Sequence, residues 1–139
     1  MSAPEIQPTE PHGSISLRIM PAPADTNHLG NIFGGWVLSQ MDVAGALHVT
    51  NLTNQRVVTV AVESMKFHKP VQVGDEVTCY TRTGRVGRTS MEVVIETWVR
   101  KQYKKGPLLH VTSGTFVYVA IDEAGTPTPI KLDTEAASR

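Results

Sequence analysis

The stretch Asn27-His-Leu-Gly-Asn-Ile-Phe-Gly-Gly-Trp-Val-Leu-Ser-Gln-Met-Asp-Val-Ala-Gly-Ala-Leu-His-Val49 decides how the chain is built. It joins a polar, glycine-bearing loop to a segment that is apolar on nearly every side. Helical spacing of about 100° per residue from Gly35 to about Val49 puts Leu38, Met41, Asp42, Gly45, Ala46 and Val49 on one side. Trp36, Val37, Val43, Ala44 and Leu47 fill the rest, and only Ser39, Gln40 and His48 are otherwise polar. A helix this apolar is expected to be wrapped by other structure, and Gly45 would let a neighbour approach closely. Asp42 is its one carboxylate. An ionised group in such surroundings needs a partner, a hydrogen bond or a shifted pKa.

The flanks supply the wrapping. Ser14 to Met20 alternates Ile15, Leu17 and Ile19 against Ser14, Ser16 and Arg18, the period of a half-buried strand, and Pro21 and Pro23 end it. After the polar turn Asn51 to Gln55, four more strands are expected: Arg56 to His68, Glu76 to Val86, Thr89 to Lys101 and Leu108 to Ile121. In the first of these, Val58, Val60 and Val62 share one face and Thr59, Ala61, Glu63, Met65 and Phe67 the other. Such strands, roughly ten to fourteen residues against the usual five or six, favour a curved meander. One buried helix before a curved antiparallel sheet is an α+β arrangement with a single domain over residues 14–123. Residues 1–13, polar and rich in proline, read as a disordered tail, and 124–139 as a second, frayed one.

Composition narrows the function. A chain of 139 residues that is 40% hydrophobic makes one domain with a real core. Thirteen basic residues balance thirteen acidic ones, so no general attraction to nucleic acid or to a membrane surface is advertised. Cys79 stands alone, which rules out an intrachain disulfide and a multi-cysteine metal site within one subunit. Without a signal peptide or an apolar run of about eighteen residues, a cytoplasmic location is expected.

The pattern Asn27-x-x-Gly30-x-Ile32-Phe33-Gly34-Gly35, with Met41-Asp42 in the helix, resembles the hotdog-fold acyl-CoA thioesterases of the cytosolic acyl-CoA hydrolase type. The resemblance continues through Val57-Val58-Thr59-Val60, Phe67-x-Lys69-Pro70-Val71 and the Gly74-Asp75 turn. It implies the hotdog fold, in which a curved antiparallel sheet wraps one long central helix. It also implies hydrolysis of acyl-CoA to coenzyme A and a carboxylic acid. No cofactor is called for, since coenzyme A is itself part of the substrate.

Thioester hydrolysis needs a base or nucleophile, a positioned water and donors for the oxyanion. Asp42 suits the first role, as base or as nucleophile. Amides at Gly34 and Gly35, where the helix begins, suit the last, and Asn27 would orient the water or the carbonyl. Asp42 lies about two turns, roughly 10 Å, into the helix, so one subunit need not bring it to its own Asn27. The resemblance implies that Asn27 of one subunit faces Asp42 of another, in a dimer that assembles further into a tetramer or hexamer. Thr59 is a candidate for holding water or Asp42; Lys69 and the Arg88-Thr89-Ser90 turn are candidates for the phosphates of coenzyme A.

Each of these residues also has a plainer role open to it. Asp42 could be a carboxylate satisfied by backbone amides, Asn27 the head of an Asx turn, Thr59 a structural strand residue, and Arg88 to Ser90 a solvated hairpin end. Cys79, mid-strand, is expected to be a core residue, and the five histidines show no zinc-ligand spacing. The run from Arg100 to Lys105 reads as a solvated loop or an attraction for phosphate. Two other functions share the fold: a dehydratase acting on acyl thioesters, which pairs a histidine with a carboxylate, and a non-catalytic acyl-CoA sensor.

Overall fold

A computed structural model describes residues 7–102 and 106–133. Strand β1 (Ser14–Ile19) leads through a single 3₁₀ turn at Pro23–Asp25 to helix α1 (Gly34–Thr53). Strands β2 (Arg56–Phe67), β3 (Glu76–Val86), β4 (Ser90–Arg100) and β5 (Leu109–Ile121) follow. They form one sheet in the order β1-β3-β4-β5-β2, with every neighbouring pair antiparallel. The helix lies across one face, and the core between them holds Met41, Ala44 and Val49 of α1 against Met91, Val93, Ile95, Phe116 and Tyr118. The α+β hotdog arrangement expected from the pattern is the one found.

The helix is longer than its apolar pattern suggests. It continues through the polar residues after Val49 because Leu52 and Thr53 still pack, the Thr53 hydroxyl donating to the Val49 carbonyl at 2.8 Å. It stops at Asn54, whose left-handed φ of 54° turns the chain. Its buried stripe is also rotated from the expected one: Val37, Met41, Ala44, Gly45, Val49 and Thr53 face the sheet. Leu38 is 37% exposed and Asp42 sits at the edge of the stripe. A helix apolar all round does not choose its own face. The sheet took the side where Ala44 and Gly45 permit the closest approach.

Strand β2 departs from strict alternation. Its register against β5 slips between Thr59 and Ala61 and again between Glu63 and Lys66, with Ser64 at a φ of 57°. These bulges bend the strand around α1 and change which residues face inward. Val57 and Thr59 pair with the helix-facing Ala120 and Tyr118. Past the first bulge it is Val62 that pairs with Phe116, so Val62 takes the helix side of the sheet and not the face of Val58, yet at the edge it stays 43% exposed.

On the sheet's outer face lies a buried polar group, Glu96. It accepts hydrogen bonds from Trp98 Nε1 at 2.9 Å, Arg82 at 2.7 Å and the His12 amide at 3.3 Å. Burial alone would raise its carboxyl, but the bonds from Trp98, Arg82 and His12, with the charge of Arg82, hold it below the ordinary carboxylate value. Gln7 meets the His110 ring nearby at 2.9 Å.

The segment after β5 is pinned rather than frayed over its described part. The amides of Thr128, Ile130 and Asp133 donate to the carbonyls of Ala120, Arg88 and Leu52. Carbonyl acceptors at the rim of the sheet and at the helix end capture it, which composition does not reveal. Residues 1–6 and 134–139, assigned to the tails, lie outside the described residues.

Candidate active site

Helix α1 presents two chemically distinct regions. At its start, Asn27 shapes the loop: its Oδ1 accepts from the amides of Leu29 and Asn31 at 2.9 and 3.1 Å. The Asx geometry foreseen for Asn27 is therefore present, and it uses the acceptor end of the side chain. The helix has no side-chain cap. Among the described residues no acceptor meets the N–H of Gly34 or Gly35, as expected for the first amides of a helix.

Among the described residues, a β-carbon on Gly35 would meet nothing within 4 Å, and one on Gly34 only the Phe67 ring at 3.5 Å. Packing among the described residues gives no reason for either glycine. Both leave room for something arriving from outside. A cavity of about 310 Å³ opens here, lined by Asn27, Asn31, Gly34, Phe67, Lys69 and Val71 among others. Lys69 is thus brought to the Asn27 and Gly34 end of the helix.

Asp42 lies eight residues further on, roughly 12 Å along the axis at 1.5 Å per residue. It does not line that cavity. Its Oδ1 accepts from the Thr59 hydroxyl at 2.6 Å and the Tyr118 hydroxyl at 3.1 Å. Among the described residues nothing hydrogen-bonds Oδ2. Thr59 reaches the helix because it follows Val57 on the inward face before the first bulge. Asp42 is satisfied by side-chain hydroxyls rather than by the backbone amides of the plainer account.

Arg88, Thr89 and Ser90 lie toward the Asp42 end. Ser90 pairs with Val119, one position from Tyr118, and Val119 pairs with Val58. Phe67, beside the cavity, pairs with Thr112, seven residues from Val119 along β5, or roughly 23 Å at about 3.3 Å per residue. One chain therefore separates two groups: Asn27, Gly34, Gly35 and Lys69 at one end, Asp42, Thr59 and the Arg88 to Ser90 turn toward the other.

The profile of the thioesterase superfamily matches residues 29–105, from the Asn27 loop through β4. The chain belongs to the thioesterase superfamily. Among superfamily members, the acyl-CoA thioester hydrolase YciA of Salmonella typhimurium is 47% identical over 88% of this chain and 93% of its own length. The hexameric thioesterase of Yersinia pestis superposes with a TM-score of 0.84 at 45% identity, over 88% of this chain and 99% of that one. A hexameric broad-specificity acyl-coenzyme A thioesterase also gives 0.84, at 42% identity, over 93% of this chain and 89% of that one.

Other polar groups stand apart from both regions. Cys79 is fully buried against Thr97, and burial pushes its thiol up to about 11, so it offers no thiolate near neutral pH. Lys101 is held by the buried Asp75 at 2.8 Å and Arg100 leans on Glu76 at 4.0 Å, while Tyr103 to Lys105 lie outside the described residues. Among the described residues no group of three or more His, Cys, Asp or Glu is placed to hold a metal ion. None of the helices among them is long and apolar enough to cross a membrane. His28 is exposed and does not line the cavity, whereas His68 does. Pattern reading passed over His68 and Tyr118: a histidine beside a lysine and a tyrosine in a β-rich run look ordinary until their partners are known.

Proposed function

We propose that this chain is an acyl-CoA thioesterase that hydrolyses acyl-CoA to coenzyme A and a carboxylic acid at sites shared between two subunits. The observation that carries this reading is the separation just described. The open oxygen of Asp42 and the open amides of Gly34 and Gly35 lie on one helix, too far apart for a single carbonyl. A second subunit running the opposite way brings one chain's amides to the other chain's carboxylate.

At such a site, Asp42 acts on water as general base, or on the thioester carbon as nucleophile. The Gly34 and Gly35 amides receive the developing oxyanion, favoured by the helix dipole. Asn27, its Oδ1 committed to the loop, directs Nδ2 toward the water or carbonyl. The tetrahedral intermediate expels coenzyme A as a thiolate, which a thiol pKa near about 8.5 allows without a strong acid. Thr59 steadies Asp42, while Lys69, Arg88, Thr89 and Ser90 contact the coenzyme. The chemistry calls for no cofactor, and the location is cytoplasmic.

The edge of the sheet supports self-association. Among the described residues β2 has no neighbour on one side, and Val58, Val60 and Val62 on it are exposed, as are Val43 and Leu47 of α1. A long apolar edge strand is a template for another strand. The assembly beyond the dimer is a hexamer, as in the two solved relatives named above. A histidine-dependent dehydratase is the weaker reading, because His28 of the helix-entry loop stays away from the cavity, and His68, which lines it, has its ring against His110 rather than a carboxylate.

The test is thiol release from a panel of acyl-CoA esters. Asp42→Asn abolishes it, and Asn27→Asp, which keeps the loop's acceptor but loses the amide donor, reduces it sharply. Mixing the two variants restores part of the rate in mixed dimers. An Asp42→Asn enzyme with full activity would overturn the site, and mixtures with no recovery would overturn its shared character.

A further inference from the structure

We propose that Tyr118 is a positioning residue for Asp42 and that, with Thr59, it commits Oδ2 of Asp42 as the oxygen that meets water or the thioester. The proposal rests on the hydrolase reading above and adds a residue and an atom to it.

Tyr118 is fully buried on β5, its ring stacked with Phe116 at 6.5 Å between centroids. The hydroxyl reaches the helix and lies 2.9 Å from the Asp42 carbonyl oxygen and 3.1 Å from Oδ1. A β-carbon on Gly45 would lie 2.1 Å from that hydroxyl and 2.7 Å from Cζ, separations no real atoms adopt. The hydroxyl therefore occupies the space of a missing side chain. Glycine inside a helix disfavours the helix, so its presence here trades helical preference for a notch that admits one phenol.

Within this notch Tyr118 keeps one proton, which it directs at the Asp42 carbonyl and at Oδ1. Burial first, then the negative charge of Asp42 and its hydrogen bond, push the phenol far above its ordinary value, and it stays protonated. Thr59 donates to the same Oδ1 from the other side at 2.6 Å. The terminal torsion of a carboxylate is broad and roughly two-fold when free. Two donors on one oxygen remove that freedom, and Oδ2 is left as the oxygen without an internal partner among the described residues.

A merely structural tyrosine would use its hydroxyl to satisfy the helix carbonyl and nothing more. Tyr118→Phe separates the alternatives, since it keeps the buried ring. The expected result is a fall in kcat of about tenfold with KM and melting midpoint unchanged, the size expected for one hydrogen bond to a charged group. In an Asp42→Asn background the same substitution has no further effect on the residual rate. Gly45→Ala, which crowds the hydroxyl from the helix side, lowers kcat in the same way. An unchanged kcat with a lowered melting midpoint would overturn the proposal and leave Tyr118 a packing residue. Full activity in Asp42→Asn itself would instead sink the hydrolase site, whatever Tyr118→Phe did.

Discussion

The Thr59 hydroxyl donates a 2.6 Å hydrogen bond to Asp42 Oδ1, joining the edge strand β2 to the central helix. Thr59→Val keeps the shape of the side chain and removes that donor. Hydrogen bonds to charged groups contribute about 1.5–3 kcal/mol, and an exposed one belongs at the low end. A fall in kcat of about tenfold is expected, with Thr59→Ser close to the parent rate. Steady-state kinetics on one acyl-CoA ester decide it: equal rates for the valine and serine variants would remove Thr59 from the site.

Gly45 and Tyr118 predict a compensation in stability. Gly45→Ala gains about 1 kcal/mol of helix preference, but overpacking costs typically 1–3 kcal/mol, and contacts of 2.1 and 2.7 Å ask for a large adjustment. Net destabilisation is expected. Adding Tyr118→Phe removes the nearer contact, so the double variant should be more stable than Gly45→Ala alone while its kcat stays low. Urea unfolding of the single and double variants measures the sign of this coupling.

Glu96 gives the fold a pH dependence. Its carboxyl is held below the ordinary value, so it contributes stability above about pH 4.3, and that contribution disappears as pH falls through the lower folded value. Glu96→Gln should therefore melt well below the parent at neutral pH, and the gap should close as the solution is acidified. Thermal melts between neutral and acidic pH check this; a gap that widened toward acid would contradict it.

The exposed edge of β2 predicts that assembly and activity fail together. Val60, at the first bulge, is 55% exposed in the single chain. If β2 meets a second copy, Val60→Lys puts a strongly hydrated charge into an apolar seam, which is costly without a partner. Sedimentation should show a smaller species, and hydrolysis should fall in proportion. Unchanged mass and rate would mean that the subunits meet elsewhere.

Local patterning determined most of the architecture. Alternation in Ser14 to Ile19, β-branched runs after Asn54 and the apolar stretch after Gly35 mark the helix and the five strands found among the described residues, because each period reports one geometry. The sequence also displayed the residue types of the candidate site, since a lone carboxylate in an apolar helix and a glycine pair at its start stand out without coordinates.

Tertiary structure alone decided which side of the helix is buried, because a segment apolar all round carries no preference until a sheet with its own bulges packs on it. It alone moved Val62 to the helix side of the sheet, through a register slip that no alternation announces. It alone joined Tyr118 to Asp42 through Gly45, residues far apart in the chain whose relation is one of shape. The stretch from Asn27 to Val49 named the carboxylate; the strands folded against it determined which of its two oxygens remains open.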